Sequence, residues 1–467
     1  MIYTELKVCM NYYIKWVTFF LAGFIIFQTN SYISWASSNT DNHETSIPKD
    51  NSNPPTLPRY YNINTQWGGH LKLSVSASWI DDDSPYTIID KGPYYDSSID
   101  ARLKNKTYLT DYAFITAHYE MIYSGGDTRD NQNELRQLYP DLFGTHLLSQ
   151  STMDDNSRFF DLTKTIQESD RHVLYHRMDR LSLTLQPDWG TICIGRQAIT
   201  WGNGLVFNPM DLFNPFAPTD VERDYKVGDD MISAQLPLHD IGDIQTLYMP
   251  RRDPTDRHTS SSRSSFAGKL HFSASIYEFD MMAAQHYNDN IFGLGITGYV
   301  ANAAWRLDVV GTVLDDESQE DDYLSLVANI DYSWVWWKKN FYGFLEFCYN
   351  GLGDTDYSDA ISNTSVTERI SRGDIYFLGR EYLSAGIRVE LHPLLQAHLT
   401  VINNLSDPSG IIQPRIVWDI TQDFQFKFGG NIFYGDSQTE FGGFTIPNTI
   451  YKYSPSNNAY ITLTYFF

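Results

Sequence analysis

The segment WGNGLVFNPMDLFNPF, residues 201–216, has the composition of a catalytic or phosphate-binding loop. It carries a Gly-x-Gly pair and two Asn-Pro pairs, with Asp211 between the latter. Glycines at this spacing cradle a dinucleotide phosphate when a third glycine follows three residues after the second. Phe207 occupies that third position. The segment therefore does not match a dinucleotide-binding loop.

The histidines do not form a catalytic or metal-binding pattern either. His172 and His176 would share a metal ion on a helix, but on a strand they lie about 13 Å apart. The chain contains no P-loop, HExxH or GxSxG motif. Four further histidines fall on polar strand faces without an evident serine partner: His118, His271, His286 and His398. We therefore expect no enzyme activity, no catalytic residues, no cofactor and no metal site.

The composition excludes other classes of protein. The 467 residues carry 34 Lys and Arg against 57 Asp and Glu, a formal net charge of -23. Nucleic-acid phosphates attract basic surfaces, so nucleic-acid binding is not expected. Cys193 and Cys348 form no CxxC or Cys/His cluster, which argues against a disulfide framework or a zinc site. Aromatic residues make up 15% of the chain, which suits either an acidic secreted enzyme or an outer-membrane protein.

The N-terminal sequence has the three parts of a secretory signal peptide. Lys7 and Lys15 precede the apolar run VTFFLAGFIIF, residues 17–27, and the small-residue site SWA follows at 34–36. A run of roughly eleven apolar residues is too short to span a bilayer, which takes about 20. We expect a cleaved signal peptide at residues 1–36, a polar periplasmic lead-in at 37–67 and one folded domain at 68–467.

The last residues, NNAYITLTYFF, form a strand pattern with one apolar face and end on Phe467, with Tyr465 two positions before it. This ending resembles the terminal strand that the barrel assembly machinery reads in Gram-negative outer membranes. The resemblance implies that Tyr465 and Phe467 contact that machinery, and that the protein resides in the outer membrane.

Alternation of apolar and polar residues recurs along the chain in segments of about ten residues, the pattern of a membrane barrel. We predict strands at 68–80, 97–104, 108–123, 173–186, 189–199, 229–238, 243–251, 264–273, 275–287, 290–300, 302–314, 322–335, 340–350, 381–391, 395–406, 409–420, 423–434 and 458–467. Short connections alternate with mostly long polar ones, as periplasmic turns alternate with extracellular loops. The predicted fold is all-β: a transmembrane antiparallel β-barrel of about 18 strands. A count of 16 stays possible, because 97–104 is weakly patterned and the connection at 288–290 is short.

The predicted barrel assigns positions to two sets of side chains. Trp334, Trp336 and Trp337 beside Lys338 and Lys339 fit an aromatic girdle at the periplasmic rim. The predicted pore-lining residues are Lys72, Arg306, Asp308, Asp331, Glu346, Arg388, Glu390 and Lys427. Opposite charges are balanced on this polar face, which indicates passive passage of small polar solutes without sharp ion selectivity.

The segment GRQAITWGNGLVFNPMDLFNPF, residues 195–216, resembles a signature of a family of porin-like Gram-negative outer-membrane barrel proteins. The matching positions are Gly195, Arg196, Gln197, Trp201, Gly202, Asn208, Pro209, Asp211, Asn214 and Pro215. The resemblance implies a channel. A weaker similarity to the 18-stranded alginate exporters, which rests on strand count, keeps an export conduit as the alternative. The arginine-rich lumen expected of such an exporter is not evident in the balanced charges.

The same segment begins where the strand at 189–199 ends, in the position of the loop that folds inward in trimeric porins. We predict a constriction loop with Arg196, Gln197, Asn208, Asp211 and Asn214, in which the last three cap turns through their side chains. A bulge near Gly195 would turn Arg196 away from lipid. Expected partners are outer-membrane lipid, lipopolysaccharide and small solutes, with homo-oligomers possible.

Overall fold

The computed structural model describes residues 63–138, 154–217, 225–315, 321–356, 363–445 and 450–467. Its strands are β1 (Asn64–Trp79), β2 (Tyr94–Thr110), β3 (Ala113–Gly126), β4 (Thr163–Glu168), β5 (His172–Leu185), β6 (Thr191–Gln197), β7 (Asp229–Pro237), β8 (Gly242–Arg252), β9 (Thr259–Ala274), β10 (Tyr277–His286), β11 (Asp289–Val300), β12 (Ala303–Val313), β13 (Tyr323–Trp336), β14 (Lys339–Asn350), β15 (Glu381–His392), β16 (Leu395–Asn404), β17 (Ser409–Asp419), β18 (Phe424–Tyr434), β19 (Phe444–Thr445), β20 (Lys452–Tyr453) and β21 (Asn457–Phe466).

Eighteen of these strands form a closed antiparallel barrel, as the sequence predicts. Each pairs with its neighbours along the chain, and β21 closes the ring on β1 from His70–Phe466 to Trp79–Asn457. Closure pairs the backbone groups of every strand, which a membrane-spanning sheet requires. The other three strands lie outside the ring: β4 pairs with residues 173–177 of β5, and β19 pairs with β20.

Several strand boundaries differ from the prediction, including the start of β9, which lies at Thr259 and not at 264, and those of β1 to β3. β1 begins at Asn64, four residues before the predicted start of the barrel at 68. The weakly patterned strand predicted at 97–104 is the long β2, and its turn to β3 falls at Asp111 and Tyr112. The inner face of β2 carries charged side chains, and its outer face carries few large apolar ones. The alternation of apolar and polar residues is therefore weak along this strand.

Large apolar side chains cover the outside of the barrel. Leu71, Leu73 and Val75 of β1 are exposed, while the intervening Ser74 is buried. Phe292 and Leu294 of β11 are exposed in the same way. A barrel that faces lipid outward and a polar lumen inward produces this inversion of the usual burial pattern.

The connections at one end of the barrel are tight turns, and those at the other end are mostly long. Helices α1 (Asp127–Leu138) and α2 (Thr364–Arg372) belong to the long connections. Asn363 caps the start of α2, and Gly373, with φ 76°, ends it. Neither helix is long and apolar enough to cross a membrane.

Candidate functional site

The chain after β6 turns into the barrel. We call residues 201–213 the inward segment. Its Trp201, Met210 and Phe213 are buried in one cluster with wall residues of β7–β12, namely Met231, Leu247, Met249, Ala267, Met282, Ala284, Ile291 and Val310. Trp201 also donates from Nε1 to Gln245 Oε1 at 2.8 Å. Apolar burial therefore fixes one side of the segment to this wall.

The inward segment also contacts a second part of the wall. Phe207 lies 4.8 Å from Phe377 and 5.0 Å from Tyr382, measured between ring centroids. The same cluster includes Val327, Cys348, Ile402 and Ile411, from strands β13, β14, β16 and β17. One short segment inside the barrel therefore contacts the wall along β7–β12 and along β13–β17, and it narrows the lumen.

Two wall carboxylates hold the backbone of the inward segment. Glu346 accepts hydrogen bonds from the N–H groups of Leu205, Val206 and Phe207 at 2.6, 2.9 and 2.8 Å. Asp308 accepts from Asn203 through its backbone N–H at 2.7 Å and its side-chain amide at 3.0 Å. Both carboxylates are buried. They face inward, but they bind this segment instead of lining open water.

Asp211 forms an ion pair instead of capping a turn. Its two oxygens lie 2.7 and 2.8 Å from Lys226 Nζ, which also donates to the carbonyl of Ile199 at 2.6 Å. Burial raises the pKa of Asp211 to about 6, and the Lys226 ammonium opposes that rise. Lys226, near the end of the connection between β6 and β7, thereby binds both its middle, at Asp211, and its start, at Ile199.

The two asparagines tie the connection to itself. Asn208 donates from its side chain to the carbonyl of Trp201 at 2.8 Å. Gly202, with φ 85°, lies against Asn208, and a Cβ there would come within 2.1 Å of the Asn208 Oδ1. Glycine is therefore required for the turn at 202. Asn214, with φ 52°, points its amide at Val227 O and Asp229, both at 3.4 Å.

Arg196 and Gln197 lie at the end of β6 and not in the loop. The buried Arg196 guanidinium binds Asp230 at 2.9 Å and Asp155 at 3.1 Å. The ladder from β5 to β6 passes Gly195 without a register shift, so the predicted bulge is absent. Arg196 avoids lipid because the segment around Asp155 covers it. Gln197 donates to the carbonyls of Cys193 and Met231.

The remaining predicted lining residues lie on the inner face. Arg306 contacts Asp331 at 3.4 Å, and Tyr342 donates to the same carboxylate at 2.9 Å. Arg388 is exposed above the Tyr342 ring, 5.1 Å from its centroid. Asn340 donates to Glu390 at 2.8 Å. Lys72 and Lys427 are partly exposed on β1 and β18.

The charges are sorted around the wall. Acidic residues dominate the inner faces of β10–β14, with Glu278, Asp280, Asp308, Asp331 and Glu346 against Arg306. From β15 through β18 and β21 to β2 the basic residues outnumber the acidic ones, with Arg388, Arg415, Lys427, Lys72, Arg102 and Lys104 against Glu390, Asp419, Asp96 and Asp100. We call these six basic residues the basic arc. A count over the whole polar face does not assign the charges to strands, so it predicts only their balance in number.

Sequence reasoning missed Asn203 and Lys226 as anchors and the apolar inner wall. Inward residues such as Met249, Met282 and Val327 interrupt the polar face of their strands. That interruption is the available signal, because an apolar patch inside a wet barrel needs something to cover it. In the described parts of the chain, no group of three or more His, Cys, Asp or Glu is placed to hold a metal ion.

No protein-family model matches the chain, and no curated protein sequence matches it. Among solved structures, Acinetobacter baumannii OccAB2 is 9% identical over 86% of this chain and 98% of its own, with a TM-score of 0.50. Acinetobacter baumannii OccAB3 is 8% identical over 86% and 99%, with a TM-score of 0.50. A BenF-like porin from Pseudomonas fluorescens Pf-5 is 9% identical over 87% and 99%, with a TM-score of 0.48. At this identity the similarity shows the fold alone, that of outer-membrane porins.

Proposed function

We propose that the protein is a channel in the outer membrane of a Gram-negative cell, through which small polar solutes pass passively. The observation that carries this proposal is the lumen itself. Charged side chains line a closed barrel, and the inward segment narrows it while fixed to both walls. A wet, narrowed lumen of this kind sorts solutes by size and charge.

The arrangement of charge favours anionic solutes. The basic arc includes the exposed Arg388 on β15, whereas Glu346 on the neighbouring strand β14 and Asp308 on β12 are buried under the inward segment. N–H dipoles aimed at these two carboxylates compensate their charge. The field along the open path is therefore set mainly by cations, which raise the local concentration of small anions.

An export conduit suits this lumen less well. A polymer passing through would have to displace the inward segment, which is held by three backbone hydrogen bonds to Glu346 and by an ion pair between Asp211 and Lys226. Small solutes can pass a fixed constriction. The predicted signal peptide and the resemblance of the terminal strand to those of outer-membrane barrels support the outer membrane as the site of action, with lipopolysaccharide and the assembly machinery as partners.

Reconstitution of the purified barrel in planar bilayers tests the proposal. We expect stepwise conductance and, across a KCl gradient, a reversal potential on the chloride-selective side. Arg388→Gln should reduce that selectivity, and Lys91→Gln, which changes an exposed extracellular lysine, should leave it unchanged. A folded barrel that conducts nothing would overturn the channel, and cation selectivity would overturn the anion preference.

A further inference from the structure

The turn between β13 and β14 presents aromatic rings and lysines together at the short-turn end of the barrel. Val335, Trp336 and Trp337 are 71, 50 and 74% exposed. Lys338 and Lys339 follow directly and are exposed as well. This end also holds the start of β1 and the end of β21, so it is the periplasmic rim.

The aromatic rings on the lipid-facing side form two stacks in contact with each other. Trp334 stacks on Tyr332 at 6.1 Å and on Phe341 at 5.4 Å, and Trp336 stacks on Trp337 at 3.9 Å with an interplanar angle of 16°. Trp336 also lies 5.8 Å from Phe341 in a tilted arrangement. Gly343 makes room for the first stack, because a Cβ there would come within 3.1 Å of the Trp334 ring. Stacking fixes the two exposed indoles as a flat surface.

The turn is a tight two-residue hairpin turn. Trp337 and Lys338 have φ of 48° and 59°, a conformation that favours glycine and asparagine in two-residue turns. A large aromatic and a basic side chain therefore occupy positions where small residues would be easier to accommodate.

The charge of this turn is opposite to that of its neighbours. Among the described periplasmic turns it alone carries lysine, whereas several others carry carboxylates, namely Asp111, Asp188, Asp240 and Asp423. Lys339 donates to the carbonyl of Leu391 in the adjacent hairpin, which holds its ammonium against that side of the rim. The protein as a whole has a net charge of -23, so this local cationic patch is a marked exception.

We propose that residues 336–339 form a binding site for the headgroup of an anionic phospholipid in the periplasmic leaflet of the membrane. Lys338 and Lys339 bind the phosphate, and the Trp336–Trp337 surface packs against the glycerol and upper acyl region, where indole rings are favoured. The site goes beyond the proposed channel function and is independent of conduction.

Native mass spectrometry of the purified full-length barrel in detergent tests this site. Dioleoylphosphatidylglycerol and dioleoylphosphatidylcholine are titrated separately. Wild type should bind the anionic lipid more tightly, with about a fivefold contribution from each lysine. The double variant Lys338→Gln with Lys339→Gln should lose this preference, and Lys91→Gln should retain it. Trp337→Ala should weaken binding of both lipids.

Three outcomes would overturn the proposal: equal affinity of wild type for the two lipids, an unchanged preference in the double variant, or an equal loss in Lys91→Gln. Folding of every variant is checked by the heat-dependent shift in electrophoretic mobility of the barrel. Channel conductance measured in parallel should be the same in the double variant and wild type, which separates failure of this site from failure of the channel.

Discussion

Removal of the Glu346 carboxylate should release the inward segment. In Glu346→Ala the N–H groups of Leu205, Val206 and Phe207 lose their common acceptor. Each buried N–H left without a partner costs about 1–3 kcal/mol. Water from the lumen can replace part of this loss, so we take the lower value for each of the three. The sum of about 3 kcal/mol lowers the docking equilibrium of the segment about a hundredfold.

Single-channel recording and hydrogen exchange measure this change. We expect Glu346→Ala to raise the mean conductance and to add open-channel fluctuations, because an undocked segment no longer defines the constriction. Backbone amides of residues 203–213 should lose protection from exchange. Glu346→Gln should be intermediate, since its amide oxygen accepts hydrogen bonds but its NH₂ group opposes one of the N–H donors.

Asp331→Asn provides the matched control. It also removes one negative charge from the inner wall, but Asp331 binds Arg306 and Tyr342 and not the inward segment. It should alter selectivity slightly and leave exchange at 203–213 unchanged. If folded Glu346→Ala has wild-type conductance and protection, Glu346 does not anchor the segment and the reasoning is wrong.

Three further changes test other parts of the structure. Arg196→Ala leaves the buried Asp230 without its ion-pair partner, while Asp155 keeps Arg158 at 2.7 Å. The loss should cost about 3 kcal/mol and lower the unfolding temperature of the barrel, with Arg196→Lys in between; unchanged melting would contradict a buried network. Gly202→Ala places a Cβ within 2.1 Å of a side-chain oxygen at a positive φ, so proteolysis within 199–217 should become faster, and equal cleavage rates would count against the strained turn. Burial acts to raise the pKa of Asp374, but its hydrogen bond to His286 and the nearby Arg372 guanidinium outweigh burial and lower this pKa from its usual 3.8 to about 2. Its contribution is therefore complete above pH 3.8 and is lost as the pH falls toward 2. Protection of the amides at 363–374, measured relative to intrinsic exchange at each pH, should therefore fall only in that range, and a loss of protection near pH 6 would refute this assignment.

The sequence was sufficient to locate the barrel strands. Lipid on one side and water on the other impose a period of two on every strand, and nothing else in the chain imitates that period over so many segments. The weakly patterned strand predicted at 97–104 lies within the longer β2. Its ends were misjudged by several residues, since Asp111 and Tyr112 are no stronger as turn formers than the polar residues beside them.

The contacts of the inward segment could not be predicted in the same way. Its Asn-Pro pairs and glycines indicate a rigid loop, and the structure places that loop inside the barrel. The partners that hold it, Asp308 and Glu346, lie more than 100 residues away in the sequence. No local pattern distinguishes an inward carboxylate that meets backbone N–H groups from one that meets water. Only the closed ring brings the two parts together.

That distinction decides the effective charge of the lumen. Counted from the sequence, inward acids and bases balance, which implies no ion preference. In the structure Glu346 and Asp308 are covered and compensated by N–H groups of the inward segment, while Arg388, on the strand next to that of Glu346, remains exposed. A charge already satisfied by protein dipoles attracts a passing ion far less than one exposed to the same water. The balanced count of charges therefore does not imply a balanced field, and the anion preference proposed above rests on where the inward segment docks.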